Sequence, residues 1–574
     1  MKFSVKLITI LTGCLLTANA LFAFNRQDTL RGGNGRGRAW WDVQHYSLSF
    51  YIDTANRSIG GTTTIEFKIT DANISDSMQI DLQEPMELSE VHFEGSKKVN
   101  FVREGNVYWI MGFKEISPRY DDYKIKLSFK GKPRQAVNPP WDGGFIWTKD
   151  SLGNPWISVA CQGLGASSWW PCKDFQGDEP DRGMEIDETR FYYRSSEFIS
   201  NGKKIKNGEI IESVDIENCN IFKDTVNYWK VRNPINTYNA TFYLGDYVNF
   251  TDQHRANSQI LKYQQYHTKI RYKTLHLNYF VLRYHENQAR EHFKQVTKML
   301  EAFEYWFGPY PFYEDGYKIV EAPFLGMEHQ SAIAYGNEYK MGYRGKDRSG
   351  TGVGLLFDFI IVHESGHEWF GNSITAADIA DNWIHEGFTT YSETLFAEYW
   401  FGKEKAFEYT RGEWKNISND RPVIGNYGVN DAGSGDKYDK GSALVHTIRL
   451  LMNDDEKFRA MLHKMNDTFY HKQITTKQME DFIIGFSGLK LQPIFEQYLR
   501  TTMVPELECV KNHRTFKFRL KNIVPGFELP LNYKMDGKLV QHTVGLDWEE
   551  LKLPNAATDL HFEDEFLIKI KYSH

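Results

Sequence analysis

Residues 357–372 read Phe357-Asp358-Phe359-Ile360-Ile361-Val362-His363-Glu364-Ser365-Gly366-His367-Glu368-Trp369-Phe370-Gly371-Asn372, and nineteen positions after the second histidine stands Glu386. On a helix, residues four apart share a face, so His363 and His367 aim imidazole nitrogens at one point. Glu386 adds an oxygen from a second segment. Two histidines and a distant carboxylate make three protein ligands for Zn²⁺. The fourth position is left to water, as in a hydrolytic rather than a structural site. Glu364 lies about 100° round the helix from His363, where it can take a proton without ligating the metal.

A His-Glu-x-x-His string also arises by chance. With 18 His in 574 residues, roughly one occurrence per 25 to 30 chains of this size is expected. The plainer alternative is two surface histidines on an ordinary helix. The flanks oppose it: Phe357, Phe359, Ile360, Ile361 and Val362 predict a buried helix, and buried ionisable groups are costly unless paired or metal-bound. Asp381-Asn382-Trp383-Ile384-His385-Glu386-Gly387-Phe388 likewise sets a carboxylate among apolar neighbours.

The run His363 to Asn372, followed by Trp383 to Glu393 (WIHEGFTTYSE), resembles the aminopeptidase N and leukotriene-hydrolase family of zinc metallopeptidases, the gluzincins. That family reads HExxHxWxGN, then WLxEGFxxYxE. Gly326-Met327-Glu328-His329 resembles its exopeptidase motif Gly-x-Met-Glu-Asn, and Tyr438-Asp439-Lys440-Gly441 its Tyr-x-Lys-Gly segment. The resemblance covers about residues 40 to 500 and is diagnostic over 323–441. It implies a zinc aminopeptidase acting on peptides with a free N-terminus, with a thermolysin-like catalytic domain. By the same resemblance Tyr438 is the oxyanion donor. Glu328 holds the substrate's α-ammonium, flanked by Gly326 and Met327, with Gln162 as a further acceptor. Glu393, two helical turns after Glu386, reads either as an acceptor that orients a zinc-bound histidine or as a solvated helix charge. His329 departs from the family's asparagine. A histidine titrating near neutrality predicts an altered pH optimum or groove shape.

Composition bounds the remaining readings. A length of 574 residues suggests three or four domains. Net charge is −7 and there is no basic run, so nucleic acid is not an implied partner. Lys2 and Lys6, the apolar Leu7 to Leu16 and Ala18-Asn19-Ala20 read as a signal peptide over 1–23, hence an exported protein. Leu11-Thr12-Gly13-Cys14 also resembles a lipoprotein box, which keeps a lipid anchor at Cys14 as the alternative to plain secretion. No later stretch reaches 18 unbroken apolar residues, so no membrane span is expected in the mature chain. Cys161, Cys172, Cys219 and Cys509 lack metal-type spacing and read as buried thiols, with Cys161–Cys172 the nearest candidate pair. Oligomeric state has no sequence signal.

The predicted architecture is multidomain α+β. Residues 24–39, including RGGNGRGR at 31–38, read as a flexible spacer. From 40 to 279, period-two alternation such as Tyr46, Leu48, Phe50 and Ile52 predicts a β-sandwich or saddle. Residues 280–500 read as the mixed α/β zinc domain. A helix carries Phe293, Val296, Leu300, Phe303 and Phe307, and Gly308 stops it. Residues 501–574 return to alternation and predict a small β-sandwich. The chain ends where larger family members continue into a helical bowl, so that element is not expected. Two alternatives share the zinc motif: epoxide hydrolysis of a lipid, and a zinc-stabilised binding protein without catalysis.

Overall fold

The computed structural model describes residues 24–574 apart from 72, 96, 115, 117–121, 190–195, 216–219, 256–273, 536–537, 556–559, 574 and the side chains of 206–227. The signal peptide read at 1–23, Cys14 and Cys219 lie outside the described residues.

The N-terminal half is built on an eight-stranded sheet whose central strand is Trp41–Asp53. Its buried residues Tyr46, Leu48, Phe50 and Ile52 follow the sequence alternation. Phe50 meets Phe242 of a four-stranded sheet at a ring distance of 5.4 Å. Two sheets therefore close one core, as period-two patterning demands.

A five-stranded mixed sheet is the seam between the two halves. Its order is Tyr247–Arg255, Thr274–Leu282, Tyr317–Glu321, Ile333–Tyr335 and Gly326–Met327. Tyr279, Val281, Ile319 and Ile333 face the core of the C-terminal half, while Phe280, Leu282, Val320 and Ala334 face the N-terminal core. This corrects the boundary expected at 279/280, which cuts strand Thr274–Leu282. Alternation looks the same whichever core a strand serves, so the pattern carries no mark of the border.

The expected flexible spacer at 24–39 is also corrected. Helix α1 (Arg26–Gly32) occupies it, and the Asn25 side chain caps the backbone N–H groups of Gln27 and Asp28. Arg31 donates to the Asp174 carbonyl at 2.7 Å, and Arg38, fully buried, pairs with Asp81 at 2.6 Å. Glycines flanked by arginines suggest solvent; two buried carboxylates far along the chain supply the missing partners.

Helix α2 (Phe359–Gly366) carries the first zinc motif, and all its residues are buried. Asp358 caps it, accepting from the N–H of Ile360 at 2.9 Å and of Ile361 at 3.2 Å. Burial of Phe359, Ile360, Ile361 and Val362, at about 1.5–3 kcal/mol each, offsets the cost of burying the polar residues on the same helix. Helix α3 (Trp383–Phe401) carries Glu386, and helix α4 (Asp439–Met452) begins at Tyr438. The two helices touch at Gly387 and Gly441. A Cβ on Gly441 would stand 2.8 Å from the Gly387 Cα. Only glycines allow this approach, and it delivers Tyr438 to the metal ligands.

After Gln492–Arg500 the chain forms a four-stranded and a three-stranded sheet enclosing Phe516, Phe518, Leu531 and Tyr533, the small C-terminal sandwich. Among the described residues no helix is long and apolar enough to cross a membrane. Cys161, Cys172 and Cys509 are buried free thiols.

Candidate active site

The two zinc-motif histidines have fixed tautomers. His363 Nδ1 donates to Glu393 Oε1 at 2.7 Å, and His367 Nδ1 donates to the Phe370 carbonyl at 3.0 Å. Both Nε2 lone pairs are therefore free to ligate. They lie 3.9 and 3.3 Å from Glu386 Oε2, a buried atom with no hydrogen-bond partner among the described residues. A tetrahedral ion with bonds of about 2.0–2.1 Å has ligand–ligand edges of about 3.3–3.4 Å. His363, His367 and Glu386 fit a Zn²⁺ ion on both donor type and spacing. His385, beside Glu386, does not join them: its Nε2 accepts from the Ala376 N–H at 2.8 Å.

Glu393 is fully buried, and its second oxygen accepts from the Tyr409 hydroxyl. Its placement against His363 is thus fixed from two sides. Glu364 faces the cleft from the other side of α2. Burial, reinforced by the Glu328 carboxylate, pushes it well above the usual carboxylate range; a divalent cation at the neighbouring ligands opposes that shift. A Cβ on Gly326 would stand 2.7 Å from Glu364 Oε1. Glycine at that position keeps room for the carboxylate.

Opposite the metal ligands stands a second carboxylate. Glu328 Oε1 accepts from Gln162 Nε2 and, at 3.2 Å, from the Tyr238 hydroxyl. Gln162 Nε2 also reaches Glu386 Oε1 at 3.4 Å, so one amide spans the two acids. The Glu328 carbonyl accepts from Asn372 Nδ2 at 2.9 Å, tying this residue to the end of the first zinc motif. Gly326 and Met327 form the edge strand of the seam sheet beside it.

Tyr438 lies near-parallel to the His363 ring with centroids 6.0 Å apart. Burial and the Glu386 carboxylate raise its hydroxyl well above the ordinary phenol range, so it remains a donor. These residues line one cleft of about 530 Å³, together with Tyr343, Arg348, Phe359 and Lys437. That volume lies in the range of small-molecule sites.

The expectation for His329 is corrected. It is fully buried and does not line the cleft. The Tyr243 hydroxyl donates to the Ala332 carbonyl, so His329 Nδ1 donates to the Tyr243 oxygen at 2.8 Å. Burial pushes its pKa down to about 3, which keeps it neutral and removes it as a source of pH dependence near neutrality. Tyr238 and Lys437 escaped the sequence reading. Tyr238 is one of 32 tyrosines with no motif around it. Lys437 precedes Tyr438 at a position that the motif leaves unspecified.

Residues 291–498 match the model of the peptidase family M1 domain. Among curated proteins the chain is 27% identical over 209 residues to leukotriene A-4 hydrolase of Xenopus laevis, covering 34% of this chain and 32% of that protein. It is 26% identical over 217 residues to aminopeptidase B of Mus musculus, covering 35% and 32%. The alignments thus span about a third of those relatives' length. Among solved structures, an M1 zinc metallopeptidase from Deinococcus radiodurans superposes with a TM-score of 0.62 at 19% identity, covering 82% of this chain and 95% of that one. A mutant of it bound to a Tyr-Ser-Ala substrate gives 0.61, covering 82% and 96%. At this identity the likeness is one of fold.

Proposed function

We propose that the protein, whose residues 291–498 match the peptidase family M1 domain, is a zinc-dependent aminopeptidase removing the first residue of peptides. The observation that carries this reading is the Gln162 amide spanning Glu328 and Glu386. It sets an acceptor for a free α-ammonium one side chain from the metal ligands. A chain end fits there; an acylated nitrogen loses the charge-assisted bond. The solved relative with Tyr-Ser-Ala bound supports a peptide substrate.

His363, His367 and Glu386 would hold one Zn²⁺, which supplies Lewis acidity to the scissile carbonyl and the attacking water. Glu364 takes the proton of the attacking water and returns it to the leaving amine. The Tyr438 hydroxyl donates to the carbonyl oxygen as negative charge develops there, a contact stronger in the transition state than in the ground state. Glu328 and Gln162 hold the α-ammonium, with Tyr238 fixing the Glu328 carboxylate. The edge strand at Gly326 and Met327 offers backbone groups to an extended peptide. The leader at 1–23 would place this activity outside the cytoplasm, and the mass of the mature chain separates plain cleavage from lipidation at Cys14.

The test compares leucyl-coumarin with its N-acetylated form on protein containing one zinc per chain, with and without a chelator. Hydrolysis confined to the free amine and abolished by chelation is expected. Equal cleavage of both substrates, or full activity without metal, removes the proposal.

A further inference from the structure

Two cationic side chains line the cleft, Arg348 and Lys437. Arg348 is committed: it donates to both Asp439 oxygens at 3.0 and 3.1 Å and stands 3.9 Å from Glu413. Lys437 differs. Among the described residues its Nζ makes no hydrogen bond, and the carboxylate it faces, Glu386 Oε1, is 3.9 Å away. Its side chain is only 16% exposed and its Nζ stands 5.5 Å from the Tyr438 ring centroid. An ammonium has three donors, and here they are largely withdrawn from bulk water with no acceptor in reach.

The position of this ammonium matters. Glu386 Oε1 is also the atom that Gln162 reaches at 3.4 Å while bonded to Glu328. Lys437 and Glu328 therefore both adjoin Glu386, the one across 3.9 Å and the other through the Gln162 amide. The end of the cleft carries a fixed pair of opposite charges, Glu328 and Lys437, joined through Glu386. A Zn²⁺ ion held at the other oxygen of Glu386 would draw off part of its charge and weaken its hold on Lys437.

We propose that Lys437 makes the enzyme selective for peptides whose first residue is glutamate or aspartate: Nζ donates to the side-chain carboxylate while Glu328 holds the α-ammonium. This rests on the aminopeptidase reading above. An N-terminal acidic residue presents the matching pair of charges, its ammonium on Cα and its carboxylate on Cβ in aspartate or on Cγ in glutamate. A neutral side chain leaves the ammonium unpaired in a partly desolvated site, which costs affinity. An N-terminal lysine or arginine brings like charge against it.

The experiment measures kcat/KM of the zinc-loaded full chain on glutamyl-, aspartyl-, leucyl- and arginyl-coumarin, which carry no terminal carboxylate. It also measures binding of free L-glutamate and L-leucine by calorimetry. The glutamyl substrate should exceed the leucyl one by about tenfold or more, the scale of a charge-assisted hydrogen bond, with the arginyl substrate last. Glutamate should bind tighter than leucine. Lys437→Arg should keep the order, Lys437→Met erase the Glu-to-Leu ratio, and Lys437→Glu invert Glu against Arg, at zinc contents equal to wild type. A wild-type enzyme that favours leucine, or a Lys437→Met variant that keeps the glutamate preference, overturns the proposal and leaves the aminopeptidase reading standing. Failure on all four substrates removes both readings.

Discussion

The two walls of the cleft are built in opposite ways. The wall proposed to hold the metal comes from two helices adjacent in the chain: α2 and its C-cap supply His363, Glu364 and His367, and α3 supplies Glu386 and Glu393. The amine wall is gathered from distant places. Gln162 sits in the turn after strand Pro155–Ala160, Tyr238 in a short turn of the N-terminal half, and Glu328 just beyond the edge strand of the seam sheet. Helical periodicity aligns the residues within each helix of the first wall, and the packing of α2 on α3 brings the two sets together. The second depends on two cores closing on opposite faces of one sheet. Chemistry should therefore fail sharply when the metal wall is touched, whereas damage to the amine wall should appear first in substrate affinity.

Four substitutions would break or sharpen that contrast. Glu364→Gln is expected to keep zinc and lower kcat by about 10²- to 10⁴-fold, the range for losing a general base; turnover near wild type with bound zinc would deny the metal wall its chemical role. Gly326→Ala joins the walls, since its Cβ would stand 2.7 Å from Glu364 Oε1. Displacing a proton-transfer group by about 1 Å should cost about a hundredfold in kcat at unchanged zinc content, and an unaffected kcat would mean that the carboxylate swings aside freely. Glu393→Gln should weaken zinc binding by about 10- to 100-fold, read by titration against a competing chelator; unchanged affinity would separate the His363 contact from metal holding. Tyr238→Phe should have the smallest effect. Losing one hydrogen bond to Glu328 is worth about 0.5–1.5 kcal/mol, so KM for free-amine substrates should rise several-fold with kcat nearly constant. A loss confined to kcat would show that the amine wall takes part in the chemical step.

The same contrast explains what could be read from the chain. His363, His367, Glu386 and Glu393 are related by helical spacing within two short runs, and local spacing survives folding. Glu328 was placed by its resemblance to a family motif, without any geometric argument. Tyr238 has no local signature, because its role comes from a hydroxyl meeting a carboxylate ninety residues away. The segment 24–39 misled for a related reason. Its arginines look solvated until Asp81, at the end of strand Ser77–Asp81, and Asp174, from a loop, meet them. His329 misled in the other direction: its neighbours in sequence belong to the site, yet its ring turns into the core against Tyr243.

By itself, the sequence determined the buried α2, the spacing of its two histidines, the alternating strands of the N-terminal half and the small sandwich at the C-terminal end. These follow from periods of two and of about 3.6 residues, which act over a few neighbours. Only the tertiary structure decided that Gly387 and Gly441 touch and bring Tyr438 to the ligands, that one glutamine bridges Glu328 and Glu386, and that Lys437 faces the cleft with its donors unspent. Those contacts join residues tens to hundreds of positions apart. Their distances are set by how sheets and helices pack, and no local pattern in the chain records that.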